Sequence, residues 1–169
     1  IDRRITQEAL EMVESQQCLS YGKATIVYNP QWHKGVVGIV ASRLVEAYYK
    51  PTIVFTKSQE GLVTGSARSV HCFDLYGAIE SCADLLENFG GHLYAAGLTL
   101  KEENLPEFCE RIEKFISEAI IPEMQTPVVE IDAMLNFSQI TPKFLRILKQ
   151  FQPFGPGNSM PIFRTDNVY

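Results

Sequence analysis

The sequence predicts an α/β fold, a central sheet flanked by helices, and three observations carry that expectation. Short β-branched and apolar runs alternate with longer segments whose apolar residues recur at helical spacing. Proline, glycine or asparagine falls at most of the junctions. The 169 residues, 46% hydrophobic and 21% charged, suffice for one good core with a small appendage and lie outside the disordered range. No apolar run is long enough to span a bilayer, so no membrane partner is expected. The chain opens on Ile1-Asp2-Arg3-Arg4 rather than on Met, which reads as a cut fragment without a signal peptide.

In chain order, Ile5, Ala9, Met12 and Val13 give residues 2–17 one apolar helix face. Ala24-Thr25-Ile26-Val27-Tyr28 is a β-branched run stopped by Asn29-Pro30, hence a buried strand and its turn. After Trp32-His33-Lys34-Gly35, the spacing of Val36, Val37, Val40, Leu44, Val45 and Tyr48 predicts a helix that Pro51 closes. Thr52-Ile53-Val54-Phe55 and Leu62-Val63-Thr64-Gly65-Ser66-Ala67-Arg68 read as strands, the second becoming small and polar at its end. Asp74 stands where it can cap a helix with the stripe Leu75, Ala78, Ile79, Cys82, Leu85 and Leu86. Phe89-Gly90-Gly91-His92 reads as a tight loop, and Ala96-Gly97-Leu98-Thr99-Leu100 as a strand. Asn104 with Glu107 has the pattern of a helix cap and its partner, ahead of the stripe Leu105, Phe108, Cys109, Ile112, Phe115 and Ile116.

Residues 1–23 are thus a linking helix and lead-in, 24–121 one domain, and 122–127, with its two prolines, a linker. In the remaining 128–169, Val128 to Leu135 alternates like a strand. Thr141 caps a short helix with Pro142 at its first position. Phe151 to Asn158 is a turn, and a last strand runs to Tyr169. Two strands and a helix are too few for an independent domain. The four cysteines contain no Cys-x-x-Cys pair, and Cys82 and Cys109 fall on apolar faces. Reduced core thiols in a cytoplasmic protein are therefore expected, rather than disulfides or zinc.

Fifteen Lys and Arg against twenty Asp and Glu leave a net charge of −5. That argues against a whole-surface nucleic-acid binder but not against a local cationic site. Three constellations could build one. His33 and Lys34 stand where a strand passes into a helix, and free helix-start amides suit an anion; an ordinary turn with a solvated lysine fits the same residues. In Gly65-Ser66-Ala67-Arg68-Ser69, an arginine fork beside two hydroxyls suits phosphate oxygens, or Arg68 is a surface charge at a strand end. In the third, Gly90 and Gly91 let the backbone and His92 approach a ligand, where the imidazole could donate to a phosphoryl oxygen; the alternative is a plain turn. Three dispersed histidines and no acidic pair at ligand spacing leave no two-metal centre and no Ser-His-Asp nucleophile to expect. No cofactor is expected to bind these residues.

Taken together and in this order, the motifs resemble a known family. Trp32-His33-Lys34-Gly35-Val36-Val37-Gly38-Ile39-Val40-Ala41-Ser42-Arg43-Leu44 resembles the segment opening the DHH-associated domain of RecJ-type exonucleases. Gly65 to Ser69, Phe73-Asp74-Leu75, and Phe89 to His92 with Ala95-Ala96-Gly97 are similar to that family as well. The tail Phe151-Gln152-Pro153-Phe154-Gly155-Pro156-Gly157-Asn158 resembles the stretch near the start of its oligonucleotide-binding (OB) domain.

The resemblance implies a central mixed sheet flanked by helices, followed by the truncated start of an OB-type β domain. It implies the substrate-binding portion of a 5′-to-3′ exonuclease on single-stranded DNA, acting in recombination and repair. His92 is then implied to be catalytic, reaching the scissile phosphate. Ser66 and Arg68 are implied to hold DNA phosphates, Gly90 and Gly91 to bind substrate beside them, and His33 and Lys34 to line the same cleft. The implied partners are single-stranded DNA and the amino-terminal DHH domain of the same chain. That domain's Asp-His-His motif does not occur in these residues, and it is implied to hold the Mn²⁺ or Mg²⁺ that activates the attacking water. The fragment alone is accordingly expected to be inactive. Two other readings stay open: a DHH-family phosphodiesterase on short oligonucleotides or cyclic dinucleotides, and a non-catalytic nucleic-acid-binding module.

Overall fold

Helix α1 (Asp2–Glu14) buries Ile5, Ala9 and Val13 on one face and leaves its charged residues other than the half-buried Glu8 in water. The structure is a computed structural model and describes every residue except Ile1, Tyr21, Glu60, Pro156 and Tyr169. The opening Ile1, Pro156 of the tail motif and the Tyr169 end of the expected last strand lie outside the described residues. Residues 1–127 form one compact unit and 128–169 a second.

In the first unit, β1 (Thr25–Tyr28), β2 (Thr52–Lys57), β3 (Leu62–Arg68), β4 (Leu86–His92) and β5 (Ala95–Lys101) make one sheet in the order β1-β2-β3-β5-β4. β1 and β2 are parallel and are joined by helix α2 (Val37–Tyr48); every other pair is antiparallel. The sheet is therefore mixed, as the motifs imply. Helix α2 stops where Tyr49 turns left-handed (φ 49°) and its N–H donates to the Val45 carbonyl, two residues before Pro51.

The two faces of the sheet are covered unequally, and that decides where a site can lie. On one face, inward residues of all five strands pack against α3 (Leu75–Glu80) and α4 (Leu105–Ala119), with Phe55 edge-on to Phe108 at 5.8 Å. Gly65 is small for this reason: Phe55 ring atoms lie 2.6 Å from where its Cβ would stand. On the other face, α1 and α2 pack against Val27 of β1 and Val54 of β2. Further along that face, alternate residues of β3, β5 and β4 are half-buried or exposed. Cys82 and Cys109 lie in the covered core, where burial pushes the Cys109 thiol up to about 12 and raises Cys82 too. Both are poor nucleophiles there. Glu113 of α4 pins the segment before β1, accepting from Ser20 Oγ at 2.6 Å and Ala24 N–H at 3.1 Å.

Several expectations are corrected. Helix α3 ends at Glu80, a single tight turn follows over Ala83–Leu85, and Leu86 opens strand β4. Phe89-Gly90-Gly91-His92 is accordingly strand rather than tight loop, and the turn itself is Leu93-Tyr94, between the His92 and Ala95 pair. Paired glycines are poor helix residues, while β5 offers a ladder of hydrogen bonds, so the chain leaves the helical state early. Asn104 makes no side-chain cap; its Nδ2 donates to the Leu85 carbonyl instead, and Glu107 pairs with Arg111. Helix α1 ends at Glu14 rather than residue 17.

In the second unit, Val128 to Leu135 forms only the two-residue strand β6 (Ala133–Met134), paired in parallel with β7 (Phe163–Arg164). Alternation alone cannot make a strand without a partner, and Val128 and Val129 stay exposed. Helix α5 (Pro142–Lys149) forms as expected, with Thr141 Oγ1 accepting from the Phe144 N–H.

Candidate phosphate-binding face

Strand pairing brings two of the three constellations onto one surface. Side chains alternate along a strand, so directly paired residues of neighbouring strands share a face. Arg68 of β3 pairs with Ala95 of β5, which pairs with His92 of β4. One step along, Ser66 pairs with Gly97, and Gly97 with Gly90. Arg68 and His92 therefore stand in one row on the open face, two strands apart, or about 10 Å between backbones. Their neighbours in this row and the next are Ala95, Gly97, Gly90 and Ser66, so the floor between the two is low and carries no carboxylate.

Arg68 is held from one side only. Its Nη1 donates to Ser66 Oγ at 3.0 Å and to the Ala67 carbonyl at 2.8 Å. Guanidinium has five N–H donors, and among the described residues Nε and Nη2 make no hydrogen bond, which leaves donors for phosphate oxygens. Ser66 accepts from Arg68 and keeps its own proton to donate. Gly38, in the first turn of α2, closes the back of this cradle. A Cβ there would stand 2.9 Å from Arg68 Nη2 and 3.1 Å from Ser66 Oγ. The absent side chain lets the helix start lie directly against the guanidinium.

His92 is oriented by its own turn. The Tyr94 N–H donates to His92 Nδ1 at 3.4 Å, so in the neutral ring the proton resides on Nε2. Both turn carbonyls are tied down: Ser69 N–H donates to Tyr94 O at 3.0 Å and Leu75 N–H to Leu93 O at 3.1 Å. The segment leaving Arg68 thereby clamps the turn that carries His92, which fixes one relative to the other.

Some expected contributors act differently. Ser69 Oγ donates to the Phe73 carbonyl at 2.8 Å and shapes the loop rather than facing a ligand beside Arg68. Gly91 stands on the opposite side of β4 from Gly90 and serves packing: a Cβ would meet the Ala95 carbonyl oxygen at 2.2 Å. His33 and Lys34 are exposed in the loop before α2, where Gly35 N–H donates to His33 Nδ1 at 3.1 Å. That loop is anchored by Thr56 Oγ1 to the Trp32 carbonyl at 2.6 Å and by Trp32 Nε1 to Glu8 at 2.8 Å. Among the described residues no hydrogen bond joins His33 or Lys34 to Arg68 or His92. Gly38 was legible in the Trp32 to Leu44 motif, but its contact with Arg68 needs the helix-to-sheet register.

Among the described residues no group of three or more His, Cys, Asp or Glu could hold a metal ion. The donor set of the face, Arg68, Ser66 and His92, is one for an oxyanion rather than for a cation.

Fold and site together define an α/β domain with one open sheet face that carries Arg68, Ser66 and His92. The chain belongs to the DHHA1 domain family, whose model matches residues 21–118, and residues 131–169 match the RecJ OB domain. It is 39% identical over 166 residues to the single-stranded-DNA-specific exonuclease RecJ of Bacillus subtilis (strain 168), a match covering 98% of this chain and 21% of that protein. The RecJ of Escherichia coli (strain K12) is 33% identical over 171 residues, 96% of this chain and 29% of that protein. The crystal structure of RecJ in complex with Mn²⁺ from Thermus thermophilus superposes with a TM-score of 0.74 at 30% identity, covering 96% of this chain and 25% of that one. A second structure from the same organism, with Mg²⁺, gives 0.70 at 31% identity, over 95% and 26%. The chain thus spans well under a third of the length of these relatives.

Proposed function

We propose that the open face is the substrate-gripping half of a single-stranded-DNA exonuclease, working 5′ to 3′ in recombination and repair. The observation that carries the reading is the shared row of Arg68 and His92 over a floor without bulky side chains or carboxylates. Ser66 and the Arg68 fork hold a phosphate of the strand, and the His92 Nε2–H donates to the phosphoryl oxygen on which charge develops. The names of the relatives supply the substrate class. Metal ions, as in the Thermus structures, would be bound by residues outside these 169, because the face offers no ligand set for them. No step of the chemistry is assigned to this chain beyond holding the phosphate and stabilising its charge.

The reading is tested by incubating the 169-residue chain and the full-length protein, in parallel with Mn²⁺, with 5′-phosphorylated single-stranded DNA. Cleavage by the full-length protein alone is expected. Cleavage by the 169-residue chain would overturn the division of labour.

Gly38 gives an independent check on the Arg68 cradle. In the full-length protein, Gly38→Ala should weaken binding of 5′-phosphorylated single-stranded DNA about tenfold, because the guanidinium must move. The melting temperature should hold, since alanine is the better helix residue. Filter binding and thermal unfolding read the two effects, and unchanged binding would show that the cradle does not need this close approach.

A further inference from the structure

Beyond the Arg68 and His92 row, the same sheet face continues into a shallow cavity of about 340 Å³ lined by Thr64, Asn88, Gly90, Gly97 and Thr99. Its register follows from the ladders: Thr64 pairs with Thr99, and Thr99 with Asn88. The cavity's polar side chains are neutral. Thr99 and Thr64 hydroxyls lie 3.4 Å apart, Thr64 Oγ1 also reaches the Leu98 carbonyl at 3.2 Å, and Asn88 is exposed on the edge strand.

Two glycines form the floor, and nothing among the described residues accounts for either. A Cβ on Gly90 or on Gly97 would meet no atom within 4 Å, and neither has a positive φ. Gly65 and Gly91, by contrast, are crowded. Glycine within a strand is destabilising relative to alanine. A bare strand pair with room to spare fits close approach by something outside the chain. The charge pattern says which part of a ligand: a cationic end at Arg68 and His92 for phosphate, and a neutral hydrogen-bonding trough beside it for the uncharged remainder.

We propose that the trough of Thr64, Asn88, Gly90, Gly97 and Thr99 is a nucleoside subsite, seating the sugar and base attached to the phosphate held at Arg68 and His92. This rests on the phosphate-gripping reading above and deepens it. Gly97 determines access, since any side chain there fills the floor, while Asn88 and the threonine pair supply donors and acceptors.

The test is competition in the full-length protein. Inorganic phosphate and a deoxynucleoside 5′-monophosphate are compared as inhibitors of single-stranded-DNA cleavage, in the wild type, Gly97→Val, Asn88→Ala and Arg68→Ala. In the wild type the monophosphate should inhibit at least about tenfold more tightly than phosphate. Gly97→Val, a residue suited to a strand, should remove most of that advantage and keep the melting temperature. Asn88→Ala should reduce the advantage by about threefold, and its exposed position protects the fold. An advantage that survives both variants, or is missing from the wild type, overturns the subsite while leaving the phosphate site standing. If Arg68→Ala leaves inhibition by phosphate unchanged, the phosphate-gripping reading itself falls and takes the subsite with it.

Discussion

In the full-length protein, His92→Ala is expected to lower turnover on single-stranded DNA by about 10²–10³-fold, with binding of the strand changed little. The separation follows from what each group touches. Arg68 presents a fixed fork, paired on its far side with Ser66 and the Ala67 carbonyl, and carries ground-state attraction for phosphate. His92 presents its Nε2 edge, pre-aimed by the Tyr94 N–H on its other nitrogen, and a single N–H donor contributes most where negative charge grows during reaction. Arg68→Ala should therefore weaken binding and flatten its salt dependence, whereas His92→Ala should act on the rate. Single-turnover cleavage at saturating enzyme isolates that rate. A His92→Ala enzyme within a few-fold of wild type would remove the histidine from the chemistry.

The second large effect is on stability and separates two adjacent glycines. Gly91→Ala is expected to destabilise the domain by about 3 kcal/mol. Its Cβ would stand 2.2 Å from the Ala95 carbonyl oxygen and 2.5 Å from Ala96 Cα, both backbone atoms of the paired strand, at φ 155°. No rotamer relieves such a contact, so β4 must pull away from β5. Gly90→Ala has free space and no positive φ, so it should leave stability unchanged or slightly raised. Urea unfolding of the two variants side by side decides the matter. Equal midpoints would mean that the hairpin absorbs the collision.

The two glycines also mark how far the sequence could be read. Helical spacing and short β-branched runs identified most helices and strands of the first unit, because apolar side chains fill whichever faces are buried. They failed where a run of apolar residues fits either state: Leu85 and Leu86 continue the α3 stripe on paper, yet Leu86 pairs with Leu100 in the sheet. They failed again at Val128 to Leu135, whose alternation is clear but which meets only the two residues of β7. The Arg68 and His92 motifs were visible as local patterns. Their meeting was not, because it depends on a strand order in which β5 lies between β3 and β4. Gly38, the cavity beyond Gly97 and the loop-shaping role of Ser69 all depend on such register, and no spacing along the chain encodes it.

Strand β4 is the last in the sheet and, among the described residues, is bonded to β5 alone. A histidine at the tip of an outermost strand would ordinarily fray, sampling many orientations while the rest of the domain stays folded. Here the tip is not free, because the Leu93 and Tyr94 carbonyls are hooked to Leu75 and Ser69 on the far side of the turn. The hooks convert a loose end into a hinge pinned at both sides, so His92 keeps its aim without being buried. An outermost position brings access from solvent on one flank, and an irregular rung between Leu86 and Asn88 with the acidic Glu87 beside it discourages a second sheet from joining there. Exposure and order, which usually trade against each other, coexist at this one residue because the restraint comes from the backbone behind it rather than from packing around it.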